Sequence, residues 1–239
     1  MEDKKPAYRR VLLKLSGEAL AGDAGNGLDF RVMNQVCGVI ADCVKMGAQI
    51  GIVVGGGNFW RGVKNGEGKM ARTRADYMGM LATIMNCLAL QDVLEQQGVP
   101  AKVLTAMEIT HVGEVFSVDK ADAYLNAGNV VIFGGGVGSP FFTTDTGAVL
   151  RAALISADMI LLAKNVDGVY SADPKLDPNA VKYDSLTYSE VLAQRLAVMD
   201  STATGMAMDN NIPVMVFALK DPKNIERALC GETIGTIVR

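Results

Sequence analysis

Residues 49–58 read QIGIVVGGGN, in which a short run rich in β-branched residues ends directly in three glycines. A run of this length and composition predicts a buried strand over Gln49–Val54, and the glycines predict a tight turn at its end. The same arrangement occurs elsewhere in the chain. Val11–Leu15 (VLLKL) is followed by Ser-Gly, and Asn129–Phe133 (NVVIF) is followed by GGGVGS. Strands that are apolar on both faces are typical of a sheet covered by helices on both sides.

Amphipathic stretches between these strands predict helices. Asp29 and Gly47 suit the N-cap and C′ positions of a helix within Leu28–Gly47. Arg74–Gln97 predicts a Met-rich helix whose regularly spaced apolar residues are interpreted as core: Met78, Leu81, Met85, Leu88 and Val93. Further strands are predicted at Ala101–Leu104, Met159–Ala163, Val214–Phe217 and Thr236–Val238, and helices at Thr146–Ser156, from Thr187 to near Met199, and at Asn224–Cys230. The alternation predicts an α/β protein: a three-layer αβα sandwich with a mainly parallel central sheet, in one domain over residues 1–239.

Composition excludes several classes of protein. Hydrophobic residues make up 49% of the 239 residues and charged residues 21%, which excludes a disordered chain. A net charge of −3 provides no broad basic field, so no nucleic-acid partner is expected. We find no apolar stretch of about 18 residues or more, so no membrane span is expected. The four cysteines form no C-x-x-C pair and His111 is the single histidine, so we expect reduced thiols in a cytoplasmic protein and no protein-bound metal cluster.

The glycine-rich turns are the expected ligand site, because ligands of α/β sheets bind beyond the carboxyl ends of the strands. Successive backbone N–H groups in such turns can point at one phosphate. The chain contains no G-x-x-x-x-G-K-[ST] motif, and Ser139 interrupts a dinucleotide-type G-x-G-x-x-G, so the turns indicate another kind of phosphate site. Lys14 at the end of an apolar strand and Arg61 just past the second turn are the expected fixed cations.

Two acidic residues have alternative interpretations. Asp145 could cap the helix that follows it, or could orient Lys14 or a magnesium ion. Asp76 could accept hydrogen bonds from a sugar hydroxyl, or could merely complement the helix dipole. A site without histidine lacks the usual general base for a hydroxyl acceptor, whereas a phosphate acceptor is already ionised. The residues therefore favour transfer of a phosphoryl group onto a phosphate.

Seven segments together resemble the bacterial uridylate kinases (UMP kinases) of the amino acid kinase superfamily. They are KLSGE from Lys14, GGGN from Gly55 with Arg61, DYMGMLAT from Asp76, PFFTTD from Pro140, VDGVYSADP from Val166, LTY from Leu186 and VMD from Val198. The resemblance spans essentially the whole chain. It implies a cytoplasmic homohexamer that makes UDP from ATP and UMP with Mg²⁺ in pyrimidine nucleotide biosynthesis, with GTP as activator and UTP as inhibitor.

The resemblance also implies roles for individual residues. The implied catalytic residues are Lys14, Arg61 and Asp145. ATP would be held by Lys14, Leu15, Ser16, Gly17, Gly57, Arg61, Tyr170, Asp173 and either Lys164 or Asn165. UMP would be held by Gly56, Asp76, Val137, Gly138, Ser139, Pro140, Phe141, Phe142, Thr143 and Thr144. The GTP-responsive loop would comprise Gly22, Asp23, Ala24, Gly25, Asn26 and Gly27. Family members often carry Thr and Asn where this chain has Val137 and Ser139.

Two alternative functions remain open. A sibling kinase that phosphorylates a carboxylate or carbamate, such as an acetylglutamate or carbamate kinase, predicts no preference for UMP. Arg61 and the PFFTTD segment argue against it. A storage protein of the same superfamily would bind nucleotide without turnover, and the presence of Lys14 argues against that function.

Overall fold

A central sheet organises the chain in the computed structural model, which describes residues 5–61, 70–174 and 176–239. Its strands are β1 (Arg10–Leu15), β2 (Gln49–Val54), β3 (Ala101–Thr105), β4 (Glu114–Val115), β5 (Val130–Gly134), β6 (Met159–Lys164), β9 (Ser185–Leu186), β10 (Val214–Ala218) and β11 (Thr236–Val238). The spatial order is β4-β3-β5-β2-β1-β6-β10-β11-β9, and every pair is parallel except β10–β11. A separate antiparallel ribbon pairs β7 (Val169–Tyr170) with β8 (Lys182–Tyr183).

Helices cover both faces of this sheet. They are α1 (Gly17–Leu20), α2 (Phe30–Lys45), α3 (Arg72–Gln96), α4 (Val118–Asn126), α5 (Thr144–Leu154), α6 (Tyr188–Ala193), α7 (Ser201–Asp209) and α8 (Asn224–Leu229), with a 3-10 turn at Gly22–Ala24. One apolar core lies between the sheet and α2, α3 and α8, and a second lies between the sheet and α4 to α7. Adjacent residues of β1 pack into different cores: Leu13 belongs to the first core and Leu12 to the second. The predicted three-layer sandwich is confirmed.

The ends of several helices follow from local capping. The side chain of Asp29 caps α2 by accepting the Arg31 N–H, and Gly47 follows that helix at φ +93°. The predicted capping box of Thr187 and Glu190 opens α6. That helix ends at Ala193, however, and the prediction that it reaches Met199 is wrong. Arg195 takes a left-handed conformation (φ +52°), which ends the helix.

The Met-rich helix α3 corrects a second prediction. Its buried stripe contains Ile84, Cys87, Leu90 and Leu94, whereas four of the five residues interpreted as core are 38–51% exposed: Met78, Leu81, Met85 and Leu88. Only Val93 of that set is buried. Because α3 carries two apolar stripes, periodicity alone could not decide which one faces the sheet.

Helix α3 is also long and apolar enough, by length and composition, to cross a membrane, and it is the one such helix within the described ranges. Half of its most apolar 18-residue window is buried inside the protein. It packs on β3, β5 and α2, as a core helix does.

Arg10 joins four elements at the amino-terminal edge of the sheet. From β1, its guanidinium donates to Gln49 Oε1 on β2 (2.7 Å) and to the carbonyl of Ile155 after α5 (2.7 Å). It also donates to Asn126 on α4 (3.2 Å) and pairs with Asp122 of the same helix (2.8 Å). Its side chain is 14% exposed, so these contacts are partly protected from water.

We therefore expect Arg10→Met to lower the free energy of unfolding by about 2 kcal/mol, because several polar groups lose a charged partner. Urea unfolding followed by circular dichroism measures the change. Arg9→Met alters the exposed residue directly before β1 and should have little effect. Equal stability of the two variants would contradict the structural role assigned to Arg10.

Candidate active site

The carboxyl ends of four adjacent strands, β5, β2, β1 and β6, lie side by side and carry the residues singled out by sequence. Lys14 on β1 lies in register between Val53 of β2 and Leu162 of β6. The glycine turns after β1 and β2 pack directly on each other. A Cβ on Gly17 would lie 2.3 Å from the Gly55 carbonyl oxygen, so the position excludes every larger residue. The turns after β1 and β2 thus meet at one place.

Lys14 and Asp145 form an ion pair at this junction. Lys14 Nζ lies 2.7 Å from Asp145 Oδ1, and the two side chains are 13% and 19% exposed. The N-cap of α5 is Thr143, whose hydroxyl accepts the N–H groups of Asp145 and Thr146. The N-cap interpretation of Asp145 is therefore wrong, and this carboxylate instead orients Lys14.

A second lysine, Lys164, ends the neighbouring strand β6 and donates to the Val198 carbonyl. Burial lowers the pKa of Lys164; the Asp145 carboxylate opposes that shift and the charge of Lys14 adds to it. Two lysines and one carboxylate therefore share this end of the sheet. The arrangement leaves excess positive charge beside the cavities described next, which suits an anionic ligand.

Asp200 is a site residue for which the sequence analysis gave no role. It caps α7 by accepting the Ala203 N–H (3.0 Å), and it accepts the hydroxyls of Thr143 and Thr146 (3.0 Å for Thr146). Burial opposes its ionisation, but these hydrogen bonds outweigh burial and lower the pKa of Asp200. Asp200 thus fixes the start of α5, which carries Asp145. An aspartate directly before Ser-Thr-Ala-Thr is a recognisable N-cap signal in the sequence.

Lys14 lines the first of two cavities at these strand ends, which has a volume of about 590 Å³. It is bounded by Lys14 and Ser16, by the end of β6, by the 165–174 segment and by the chain between α6 and α7. Six of the predicted ATP-binding residues line it: Lys14, Ser16, Lys164, Asn165, Tyr170 and Asp173. Leu15 is fully buried in the core, and its carbonyl accepts the Gly55 N–H (3.0 Å), so its side chain is not available to a ligand.

The second cavity, of about 290 Å³, lies between α3 and the start of α5. Seven of the predicted UMP-binding residues line it: Gly56, Asp76, Val137, Ser139, Phe142, Thr143 and Thr144. Gly57 and Arg61, which were predicted to contact ATP, also line this cavity and not the first. Trp60 borders it as well, and its indole N–H donates to the Ala75 carbonyl (2.9 Å). The sequence analysis gave Trp60 no role.

Asp76, Arg72 and Phe141 form a clamp on the rim of the second cavity. The Arg72 Nε–H donates to both oxygens of Asp76 (2.8 Å each), and the Phe141 N–H donates to Oδ2 (2.9 Å). The Arg72 guanidinium also lies 5.3 Å from the centre of the Phe141 ring. Phe141 has φ +72°, a conformation that costs a non-glycine residue about 1–2 kcal/mol. The clamp holds this residue in place, so Asp76 does more than complement the helix dipole.

The predicted GTP-responsive loop, residues 22–27, contacts the second glycine turn through Asn58. The Gly27 N–H donates to the Asn58 carbonyl (3.1 Å), and Asn58 Nδ2 donates back to the Gly27 carbonyl (2.7 Å). Asn58 also exchanges amide hydrogen bonds with the buried Asn86 of α3. A further polar cavity, of about 390 Å³, lies between the loop and residues 57–61. Arg61, at its edge, pairs with Glu18 of α1.

Within the residues that the structure describes, no group of three or more His, Cys, Asp or Glu is placed to hold a metal ion. A magnesium ion that arrives with a nucleotide does not need such a group, because it keeps water ligands and binds phosphates with one or two carboxylates. Asp145, which pairs with Lys14 and directly follows Thr144 of the second cavity, fits that requirement.

Comparison with known proteins agrees with this architecture. The Amino acid kinase family model matches residues 9–218. The crystal structure of a UMP kinase from Bacillus anthracis superposes with a TM-score of 0.93 at 40% identity, covering 97% of this chain and 96% of that one. A UMP kinase from Ureaplasma parvum gives a TM-score of 0.91 at 39% identity, covering 96% and 98%. A uridylate kinase from Archaeoglobus fulgidus gives 0.73 at 31% identity, covering 96% and 99%.

The family match extends across β1, the glycine turns, the start of α5 and strand β10, and so includes Lys14, Asp145 and both cavities. With the full-length structural similarity, it shows that this chain belongs to the amino acid kinase family.

Proposed function

We propose that this chain is a UMP kinase, which transfers the γ-phosphoryl group of ATP to UMP and releases UDP and ADP. The observation that carries the proposal is the pair of cavities at the strand ends: Lys14 lines one of them, and Thr144, directly before its ion-pair partner Asp145, lines the other. The larger cavity takes ATP. The smaller cavity, lined by Asp76, Arg61 and the glycine turns, takes UMP.

Transfer between the two nucleotides needs alignment and charge neutralisation more than proton transfer, because the acceptor phosphate is already ionised. Lys14, held by Asp145, stabilises the charge on the transferring phosphoryl group. Arg61 exchanges its partner Glu18 for phosphate oxygens and binds them with its planar guanidinium. Asp200 keeps Asp145 in place through Thr143 and Thr146.

A magnesium ion bound to ATP would neutralise charge on the phosphates. Asp145 is the described residue that would contact it. We further propose that the protein acts in the cytoplasm in pyrimidine nucleotide biosynthesis, with GTP as activator and UTP as inhibitor. The contact between Gly27 and Asn58 would connect the 22–27 loop to the phosphate-binding turn.

ADP release measured with UMP, CMP, dCMP, acetylglutamate and carbamate as acceptors tests the reaction. We expect turnover with UMP far above all the others. Preference for acetylglutamate or carbamate would support the sibling kinases, and nucleotide binding without turnover would support a storage protein.

For Lys14→Met we expect a folded protein whose kcat falls by about 10²-fold or more, since the charge that stabilises the transferring phosphoryl group is lost. Steady-state kinetics with saturating ATP and UMP measure the effect. Lys120→Met removes an exposed lysine of α4 that pairs with Glu114 of β4. This control variant should leave kcat unchanged. Unaltered UDP production by the Lys14 variant would refute its role.

For Asp76→Asn we expect the KM for UMP to rise by about tenfold and the KM for ATP to stay within about twofold, because an acceptor of hydrogen bonds in the UMP cavity is weakened. Asp92→Asn, on the exposed side of the same helix, is the matched control. A larger rise in the KM for ATP would mean that the two cavities have been assigned the wrong way round.

A homohexamer, as the resemblance implies, requires an apolar contact surface. The exposed stripe of α3 provides one, since Met78, Leu81, Met85 and Leu88 lie in a row together with the exposed Tyr77. Contiguous exposed apolar residues of this kind mark protein–protein contacts. We assign this stripe to contacts between copies of the chain.

Leu81→Glu should then shift the protein from an oligomer to smaller species, because a charge would be buried at the contact. Sedimentation velocity measures the distribution of species. Leu176→Glu changes an even more exposed leucine (84%) away from α3 and should leave the distribution unchanged. A wild-type protein that sediments as a monomer, or a Leu81→Glu variant that sediments like the wild type, would exclude this contact.

A further inference from the structure

Arg151, in the last turn of α5, is a buried charged residue without a role so far. It is 5% exposed. Its guanidinium carbon lies 3.8 Å from the centre of the Phe116 ring and 5.9 Å from that of Phe133, and these rings pack edge to face. One terminal nitrogen, Nη2, donates to the Gly136 carbonyl (3.4 Å). Arg151 therefore connects an aromatic pocket to the glycine turn after β5.

The charge of Arg151 is poorly compensated. Among the described residues, no acidic group pairs with it, and its buried Nε has no hydrogen-bond partner. Burial lowers the pKa of Arg151 to about 10. The charge of Arg151 is compensated by a ring face and one carbonyl. A buried cation in such surroundings destabilises the folded state, so stabilisation of the fold does not explain the presence of an arginine here.

The position of Arg151 on α5 directs it toward the glycine turn. Helical side chains tilt toward the amino-terminal end of their helix, which here is the end beside the second cavity. Gly147 lies four residues earlier, on the same face. A Cβ at Gly147 would lie 3.5 Å from two backbone atoms of Gly136, so the helix also packs closely on the turn at this point.

The turn that Arg151 contacts is built from flexible glycines and is held by side chains on two sides. Gly135, Gly136 and Gly138 all have positive φ, between 59° and 83°. On its α3 side, the Thr83 hydroxyl accepts the Gly135 N–H (2.8 Å). On its α5 side, Arg151 binds the Gly136 carbonyl. Because the peptide is trans and planar, fixing that carbonyl also fixes the Val137 N–H in the opposite direction.

We propose that Arg151 is a positioning residue for the acceptor nucleotide: by holding the Gly136 peptide, it fixes the turn formed by residues 135–139 in the shape that binds UMP. This inference rests on the proposed function. It assigns Arg151 to the second cavity, because Gly136, Val137 and Ser139 line that cavity and not the first.

The decisive variant is Arg151→Met, which keeps a long side chain against Phe116 and removes the charge and the donor. We expect the KM for UMP to rise by about tenfold, with the KM for ATP within about twofold, since the lost interaction acts on acceptor binding. We expect the thermal midpoint to stay equal or to rise, because an uncompensated buried charge is removed. Arg151→Lys, which keeps a charge and a donor, should restore part of the affinity for UMP.

Arg227→Met is the matched control. Arg227 also lies in the last turn of its helix, α8, but it is exposed and pairs with Glu232 (2.8 Å), so its replacement should change neither KM. For Arg151→Met, an unchanged KM for UMP would overturn the proposal. Equal increases in both KM values together with a lower thermal midpoint would also overturn it, because they would indicate a purely structural role.

Amide hydrogen exchange of the nucleotide-free protein separates this inference from the proposed function. We expect faster exchange at residues 135–139 in Arg151→Met than in the wild type, with unchanged exchange in β6. Unchanged exchange at 135–139 would overturn the positioning role whatever the substrate proves to be. A wild-type protein that does not phosphorylate UMP would instead refute the proposed function.

Discussion

The ion pair between Lys14 and Asp145 depends on the close approach of two backbones. Lys14 ends a central strand, and Asp145 begins a helix that lies on one face of the sheet. The turns around them approach closely: a Cβ at Gly17 would overlap the Gly55 carbonyl, and one at Gly55 would lie 4.0 Å from the hydroxyl of Thr144, directly before Asp145. A charged pair this deeply placed is costly unless a ligand or hydrogen bonds use it. Lys14 lines the first cavity, Thr144 directly before Asp145 lines the second, and Asp200 fixes the helix start that carries the acid.

Much of this arrangement could be predicted because it is encoded locally. Short apolar runs identify β1, β2 and β6 within a residue or two, since a strand buried on both faces needs an unbroken apolar segment. The general location of the site follows from the glycines at the strand ends. The alternatives for Asp145 could not be resolved from sequence, because they depend on whether Thr143 or Asp145 caps the helix, a difference of two residues.

Other features depend on tertiary contacts that no local pattern specifies. The exposed and buried stripes of α3 have similar composition, and only packing on β3 and β5 selects the buried one. Gly57 and Arg61 belong to the segment after β2, and the direction that this segment takes in the fold places them in the cavity of Asp76. Arg151 carries no sequence signal beyond its charge, because its partners Phe116 and Gly136 lie outside its own helix, far away along the chain.

Trp60 has a consequence for how the protein can be observed. It is the single tryptophan of the chain, and its indole ring borders the second cavity with its N–H bonded to the Ala75 carbonyl. All intrinsic indole fluorescence therefore comes from a residue that lines the same cavity as Arg61 and Asp76. The emission of unlabelled protein therefore reports on this half of the site, since Trp60 lines the second cavity and not the first.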